Sequence, residues 1–172
     1  QKPKIDSLHW HFHPISFSKS AHIPATSYDN SMNILHEIIT RRLIDKKNFP
    51  VVNRAGFHTV RFDSNLFLEQ WMPFDASNQS VKNIPKFQRD MINGRYGDWR
   101  GAPEDWSIYN PAFNDWRKKG NLKRSISRVL NINSRHREVS ESDIEISFEK
   151  AKQGENVYLG ITNHDWRDMY SE

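Results

Sequence analysis

Apolar and polar residues alternate strictly near the start of the chain, in Leu8-His9-Trp10-His11-Phe12-His13-Pro14. In an extended segment the three apolar side chains lie on one face and the three imidazoles on the other. We therefore predict a β-strand whose apolar face packs on a core. The opposite face is either a ligand-binding site or a surface that carries histidines without a function.

The next apolar residues are spaced three and four positions apart, which predicts a helix from Asn30 or Ser31 to about Lys47. The apolar run at residues 49–54 predicts a buried strand that emerges at Arg54. Strand, helix and strand in this order form a βαβ unit with parallel strands.

The same alternation of helices and strands continues along the chain. A second helix is predicted from Asp63 or Ser64 to Trp71, and the apolar segment after it ends in Asp75. Residues 122–132 predict either a strand with alternating basic residues or an edge element.

The last part of the chain predicts one more helix and one more strand. Ser140-Glu141-Ser142-Asp143 resembles a capping box that opens a helix, and Gly154 is a suitable residue for its C-terminal stop. Residues 157–162 form a continuous apolar run that ends at Asn163-His164-Asp165. This run predicts an apolar strand.

Chemically active side chains follow several of these predicted strands. In parallel α/β proteins the carboxyl ends of the strands form one rim, and ligands bind there. His13, Arg54, Asp75 and His164 each lie at a predicted carboxyl end. We therefore expect them to share a site.

Residues 76–120 lack a regular pattern and contain Trp99, Trp106 and Trp116. So many aromatic rings need either burial or a ligand, which favours a long functional loop or insertion over a disordered linker.

Composition narrows the class of protein. The 172 residues predict one globular domain, with 36% hydrophobic residues and a mean hydropathy of −0.83. The net charge is +4, and residues of both signs are mixed along the chain. The absence of cysteine excludes a disulfide framework and Cys-ligated zinc. No bilayer-length apolar run or signal peptide is visible, which slightly favours a cytoplasmic protein, although the chain starts at Gln1.

The predicted rim suits a metal-dependent hydrolase. Two or three of His9, His11 and His13 could hold a divalent metal, most naturally zinc. His164 could donate a proton, oriented by Asp165 or Asp75, while Arg54 steadies an anionic group. Each residue also has a simpler interpretation. Arg54 could be an ion-pair partner, Asp75 a cap or turn residue, and His164 with Asp165 a cap of the terminal helix.

Four segments resemble motifs of the NodB-type polysaccharide deacetylases. His9 to Pro14 fits their H-x-x-x-H-P motif, and Arg54-Ala55-Gly56-Phe57 resembles R-x-P-F with Gly in place of Pro. Met72-Pro73-Phe74-Asp75 resembles the next motif without its following Trp, and residues 158–164 resemble the last, a histidine after an apolar strand. The four occur in the family's order over about nine-tenths of the chain.

The resemblance implies a partial or distorted (β/α)₇ barrel that removes N-acetyl groups from a sugar. It implies a divalent metal with His9, His11 and His13 as its ligands. The backbone N–H near Phe57 would stabilise the oxyanion, and His164 would protonate the leaving amine. Arg54 and Asp75 would then hold the base and tune the acid. Trp99 and Trp106 are expected to stack on the carbohydrate substrate.

One family feature is missing, since the Asp-Asp motif that supplies the base has no counterpart and Asp6 stands alone. We expect the chain to be the carboxyl part of a longer polypeptide, with residues 1–172 forming one domain that lacks its first strands. Such a domain would expose an apolar edge, which favours homo-oligomers.

Three other functions remain open. The first is an amidohydrolase-type metal enzyme, which needs further histidine ligands among His58, His136 and His164. The second is an inactive carbohydrate-binding homologue that uses the tryptophans. The third is nucleic-acid binding, which we do not expect because short basic clusters such as Arg41-Arg42 and Arg117-Lys118-Lys119 are usually solvated surface.

Overall fold

A computed structural model describes residues 9–12, 32–56, 60, 62–80, 99–131 and 137–162. Strands and helices alternate through most of it. The strands are β1 (Trp10–Phe12), β2 (Val52–Ala55), β3 (Phe74–Asn78), β4 (Ser125–Asn131) and β5 (Gly160–Thr162). The helices among these residues are α1 (Met32–Lys46), α2 (Phe62–Trp71) and α3 (Arg137–Lys152).

The strands form one parallel sheet in the order β1-β2-β3-β4-β5. Each strand therefore pairs with the next strand along the chain, and the strand order never reverses. Right-handed crossovers in such a sheet all place their connections on the same face, as in singly wound barrels and unlike doubly wound sheets. The predicted α/β class, with parallel strands and flanking helices, is confirmed.

The first two helices were predicted within a few residues of their observed ends. Their apolar side chains Ile39, Phe67 and Leu68 form a shared core with Met72, which directly follows α2, and Ile38 and Phe49 pack against it. The spacing of these residues is that of one helix face, which is why the pattern in the sequence was sufficient to find both helices.

A second core lies between the sheet and the segment that begins at Trp99. Ala55 of β2 and Ile126 of β4 pack there with residues of the predicted insertion, and the whole buried cluster is Ala55, Val60, Trp99, Ala102, Tyr109 and Ile126. The described part of this segment is thus a component of the core.

Two predicted boundaries were wrong. Helix α3 begins at Arg137, so the predicted capping box lies inside the helix, where Asp143 pairs with Arg128 at 3.2 Å. Strand β5 begins only at Gly160, because Tyr158 instead donates its N–H to the Trp106 carbonyl at 2.9 Å. Of the two alternatives predicted for residues 122–132, the strand is confirmed and the edge element is wrong, since β4 pairs with both β3 and β5.

Candidate functional site

The histidine strand lies beside β2, and the register between them decides which side chains are neighbours. Trp10 pairs with Asn53 and His11 with Arg54. Paired residues of parallel strands point to the same face, and successive residues alternate. His11 and Arg54 therefore share a face, and His9, two residues before His11, belongs to it as well. His11 is exposed, while Arg54 and His9 are partly buried.

The imidazole of His11 is held by the backbone of β2. Its Nδ1 lies 2.7 Å from the Arg54 carbonyl oxygen and 3.5 Å from Arg54 Nη1. A carbonyl oxygen only accepts, so the shorter contact requires a proton on Nδ1, and Nδ1 then cannot also accept from the guanidinium. In this tautomer the ring lone pair is on Nε2. A histidine that donates one N–H to a backbone carbonyl is the usual arrangement of a metal ligand.

Asp75 does not lie at the carboxyl end of a strand, which corrects the prediction made from the sequence. It is the second residue of β3 and pairs with Asn53, not with Arg54. Since neighbouring residues of a strand face opposite ways, Asp75 and Arg54 lie on opposite faces of the sheet. Met72 and Pro73 precede the strand, which begins at Phe74, and Pro73 lacks the N–H that a ladder requires.

Asp75 instead belongs to a buried charge network at the start of β3 and β4. One of its oxygens lies 3.4 Å from Arg124 Nη1, and both side chains are fully buried. Arg124 also donates from Nη2 to Asn65 Oδ1 and from its backbone N–H to Glu69 at 2.9 Å. Burial lowers the pKa of Arg124, and the charge of Asp75 opposes that effect. Burial, and then Asp75, raises the pKa of Tyr109.

The polar residues at the carboxyl end of β3 are ones that the sequence analysis missed. The Ser77 hydroxyl accepts from the Ala55 N–H at 2.9 Å, and Asn78 Oδ1 accepts from the Ser80 N–H at 2.8 Å. The Asn-x-Ser spacing is typical of an Asx turn and could have indicated where the strand ends. The bond between Ser77 and Ala55 fixes the end of β2, which carries Arg54, against β3.

Trp99 and Trp106 cannot stack on a sugar as predicted, because they are 0% and 1% exposed. The Arg128 guanidinium lies 4.4 Å from the centre of the Trp106 ring. Arg128 also donates to the Ser80 and Glu104 carbonyls, each at 2.8 Å. Trp99 and Trp106 are therefore core residues, and their rings are not available to bind a ligand.

Three predicted site residues, His13, Phe57 and His164, lie outside the described residues, as do Asp6 and Asp165. His13 follows the last residue of β1 in the sequence, and His164 comes two residues after β5. Within the described ranges no group of three or more His, Asp or Glu side chains is arranged to hold a metal ion. The described part of the predicted rim is therefore His9, His11 and Arg54.

The chain has no significant match among models of protein families, curated protein sequences or solved structures. None of the helices that the structure describes has both the length and the apolar character needed to cross a bilayer.

Proposed function

We propose that the protein is a metal-dependent hydrolase that removes N-acetyl groups from a sugar or polysaccharide. The observation that supports this most directly is the hydrogen bond from His11 Nδ1 to the Arg54 carbonyl, 2.7 Å long. It fixes an exposed imidazole in the tautomer that presents Nε2, beside a guanidinium, on the first strand of a parallel sheet.

The sheet topology supports the same proposal at the level of the fold. A parallel sheet whose strands follow the order of the chain is what a segment of a (β/α) barrel contains. In the proposed (β/α)₇ barrel, the five strands are one continuous part of the wall. Active sites of such barrels lie at the carboxyl ends of the strands, where β2 presents Arg54.

His9, His11 and His13 would hold the metal, and the donor set suits zinc. His9 and His11 lie two residues apart on one face of an extended segment, a spacing of about 6–7 Å that neighbouring ligands of one ion can bridge. When bound, zinc supplies a water of lowered pKa and polarises the carbonyl of the acetyl group.

The remaining roles fall to residues of the chain. Arg54 holds His11 through its carbonyl and places its guanidinium where an anionic group of the substrate can bind. His164 is the proposed proton donor to the leaving amine, and the backbone N–H near Phe57 the proposed oxyanion donor. Because Asp75 is buried with Arg124, Asp165 is the better candidate to orient His164.

A carbohydrate-binding protein without catalytic activity is the second candidate. The burial of Asp75 favours it, because this removes one of the carboxylates expected at the rim. The two candidates differ in acetate release, and both are compatible with zinc binding.

Zinc titration by calorimetry tests the metal site. We expect one zinc ion per chain, with an affinity reduced by about 100-fold in His11→Ala, because a ligand is lost. His36→Ala is the matched control, since His36 is an exposed histidine of α1 that contacts Phe67 and Trp71 edge-on. Equal zinc affinity of the wild type and His11→Ala would exclude the site.

Acetate release from N-acetylglucosamine oligomers tests the reaction. The proposal expects release that a chelator abolishes, zinc restores and His11→Ala lacks. Zinc binding without acetate release from any of a panel of N-acetylated glycans would leave the binding protein as the function.

A further inference from the structure

A β-hairpin formed by residues 109–120 stands next to the first half of β4. A bridge between Pro111 and Lys119 joins its arms, and main-chain hydrogen bonds of 2.8 Å lie on both sides of the bridge. A Cβ on Gly120 would lie only 2.4 Å from the Cα of Ala112, so the arms approach this closely because position 120 has no side chain. The arms therefore hold the end of the hairpin in a defined place.

The tip of this hairpin, residues 112–118, carries aromatic side chains at the surface. Phe113 is 59% exposed, and Trp116 is partly buried. The Arg117 guanidinium lies 5.6 Å from the centre of the Trp116 ring and donates to the Asp115 carboxylate at 2.8 and 3.2 Å. This bidentate pair orients Arg117 and offsets most of its charge.

The charge that remains at the tip is positive. Lys118 and its neighbour Lys119 are both exposed. Paired strands lie about 5 Å apart. Lys118 and Lys119 on one arm and Phe113 next to the other arm are therefore close enough to contact the same short segment of a polymer. An exposed aromatic ring beside two exposed lysines fits a ligand that has both an apolar face and anionic groups.

The tip lies at the end of the sheet opposite to the proposed catalytic rim. Tyr109 pairs with Ile126 in antiparallel fashion, through hydrogen bonds of 2.7 and 3.0 Å. Ile126 is the second residue of β4, so the chain after Tyr109 runs toward the amino end of that strand. Arg54, by contrast, is near the carboxyl end of β2.

We propose that this tip is a binding surface for an acidic glycan. The apolar face of a sugar ring packs on Phe113, and carboxylates of the glycan pair with Lys118 and Lys119. The negative charge of the ligand follows from the lysines, whereas the choice of a glycan over another polyanion rests on the proposed function. The surface holds the polymer away from the rim, so it affects binding of long chains and not turnover of short ones.

Binding of polygalacturonate, measured by affinity electrophoresis and calorimetry, tests the proposal. We expect Phe113→Ala and the double variant Lys118→Glu/Lys119→Glu each to weaken this binding by about tenfold or more, and added salt to weaken that of the wild type. Neutral dextran, which lacks carboxylates, should bind more weakly than polygalacturonate and show no loss in the lysine variant.

Matched controls separate the tip from general surface effects. Phe148→Ala removes a phenylalanine that is 58% exposed and also lies under a lysine, with Lys152 Nζ 4.5 Å from the ring centre. Lys46→Glu/Lys47→Glu reverses the same charge on the exposed end of α1. Both controls should retain wild-type binding, and thermal unfolding should confirm that all variants fold.

Three outcomes would overturn the proposal. They are no polygalacturonate binding by the wild type, equal losses in the tip variants and the controls, or tighter binding of a single-stranded DNA oligonucleotide with the same dependence on the tip. The proposed deacetylase activity fails independently, through absent acetate release. Tip-dependent binding of polygalacturonate together with absent acetate release would uphold the surface and reject the enzyme.

Discussion

Lys47 and Gly154 both have a positive φ just beyond the C-terminus of a helix. Lys47 directly follows α1 and has a φ of 49°, and Gly154 lies two residues after α3 and has a φ of 85°. After each of them the next N–H bonds back to the helix, from Asn48 to the Arg42 carbonyl at 3.3 Å and from Glu155 to the Lys150 carbonyl at 3.1 Å. This left-handed conformation suits glycine and is strained for lysine. Gly154 was found from the sequence for this reason, whereas nothing about Lys47 suggests the conformation it adopts.

Opposite substitutions at these two positions should have opposite effects on stability. Lys47→Gly should raise the free energy of unfolding by about 0.5–1 kcal/mol, because it relieves the strain of a side chain at positive φ. Gly154→Ala should lower it by about 1 kcal/mol through backbone strain alone, since no heavy atom lies within 4 Å of the added Cβ. Urea unfolding followed by circular dichroism measures both. A loss of stability in Lys47→Gly would contradict the argument.

At the scale of single elements, the hairpin at residues 109–120 shows how a segment without a clear pattern becomes ordered. The Asp115 carboxylate accepts hydrogen bonds from Arg117, two residues away in the chain. The Arg117 backbone N–H donates at 3.0 Å and its Nε at 2.8 Å. The Tyr109 hydroxyl donates to the Trp116 carbonyl at 2.8 Å. Local polar contacts thus replace the apolar periodicity on which sequence-based prediction depends.

These contacts make the hairpin sensitive to acid. The hydrogen bond from Arg117 holds the pKa of Asp115 below its usual value, even though burial opposes the shift. A carboxyl group whose pKa is lower in the folded state stabilises that state above its unfolded pKa of about 3.9, and the stabilisation is lost as the pH falls through the folded pKa. Asp115→Asn should therefore lower the free energy of unfolding by about 1 kcal/mol at pH 7 and by less at pH 3.

Urea unfolding of the wild type and Asp115→Asn at both pH values checks this dependence. Glu145→Gln, which removes an exposed carboxylate of α3, is the control and should show no such difference. A difference in unfolding free energy between the wild type and Asp115→Asn that stays constant from pH 7 to pH 3 would contradict the prediction. The lowered pKa of Asp115 could then not be assigned to its pair with Arg117.

At the scale of the whole molecule, buried arginines join segments that are far apart in the chain. Arg124 connects α2, β3 and β4 through Asn65, Glu69 and Asp75. Arg128 connects β4 to the segment around Ser80 and Glu104 and to Asp143 of α3. Each guanidinium has several donors in fixed directions, so one side chain can bind several segments at once.

Breaking the Asp75–Arg124 pair should destabilise the whole fold. Arg124→Met should lower the free energy of unfolding by about 3–5 kcal/mol, because it leaves the Asp75 carboxylate buried without its cation. The double variant Asp75→Asn/Arg124→Met should recover part of this loss, since the uncompensated charge is gone. A double-mutant cycle of denaturant unfolding measures the coupling. Additive losses would show that the two side chains do not depend on each other.

The sequence alone determined the features that depend on local order. Alternation near His11 predicted β1, helical spacing predicted α1 and α2, and their succession predicted parallel strands. These patterns are local because the period of a helix or strand is set by its own backbone geometry. Three of the predicted site residues, His13, Phe57 and His164, lie outside the described residues and stay predictions.

Only the tertiary structure decided which side chains meet. Asp75 was placed with Arg54 from its position after an apolar run, but the register with Asn53 turns it to the other face, where Arg124 binds it. The sequence allowed Trp99 and Trp106 either to be buried or to bind a ligand. Trp99 is buried in the core beside the sheet, and Trp106 is buried against Arg128. Register and long-range pairing depend on contacts between distant segments, and residue order specifies these contacts only through the completed fold.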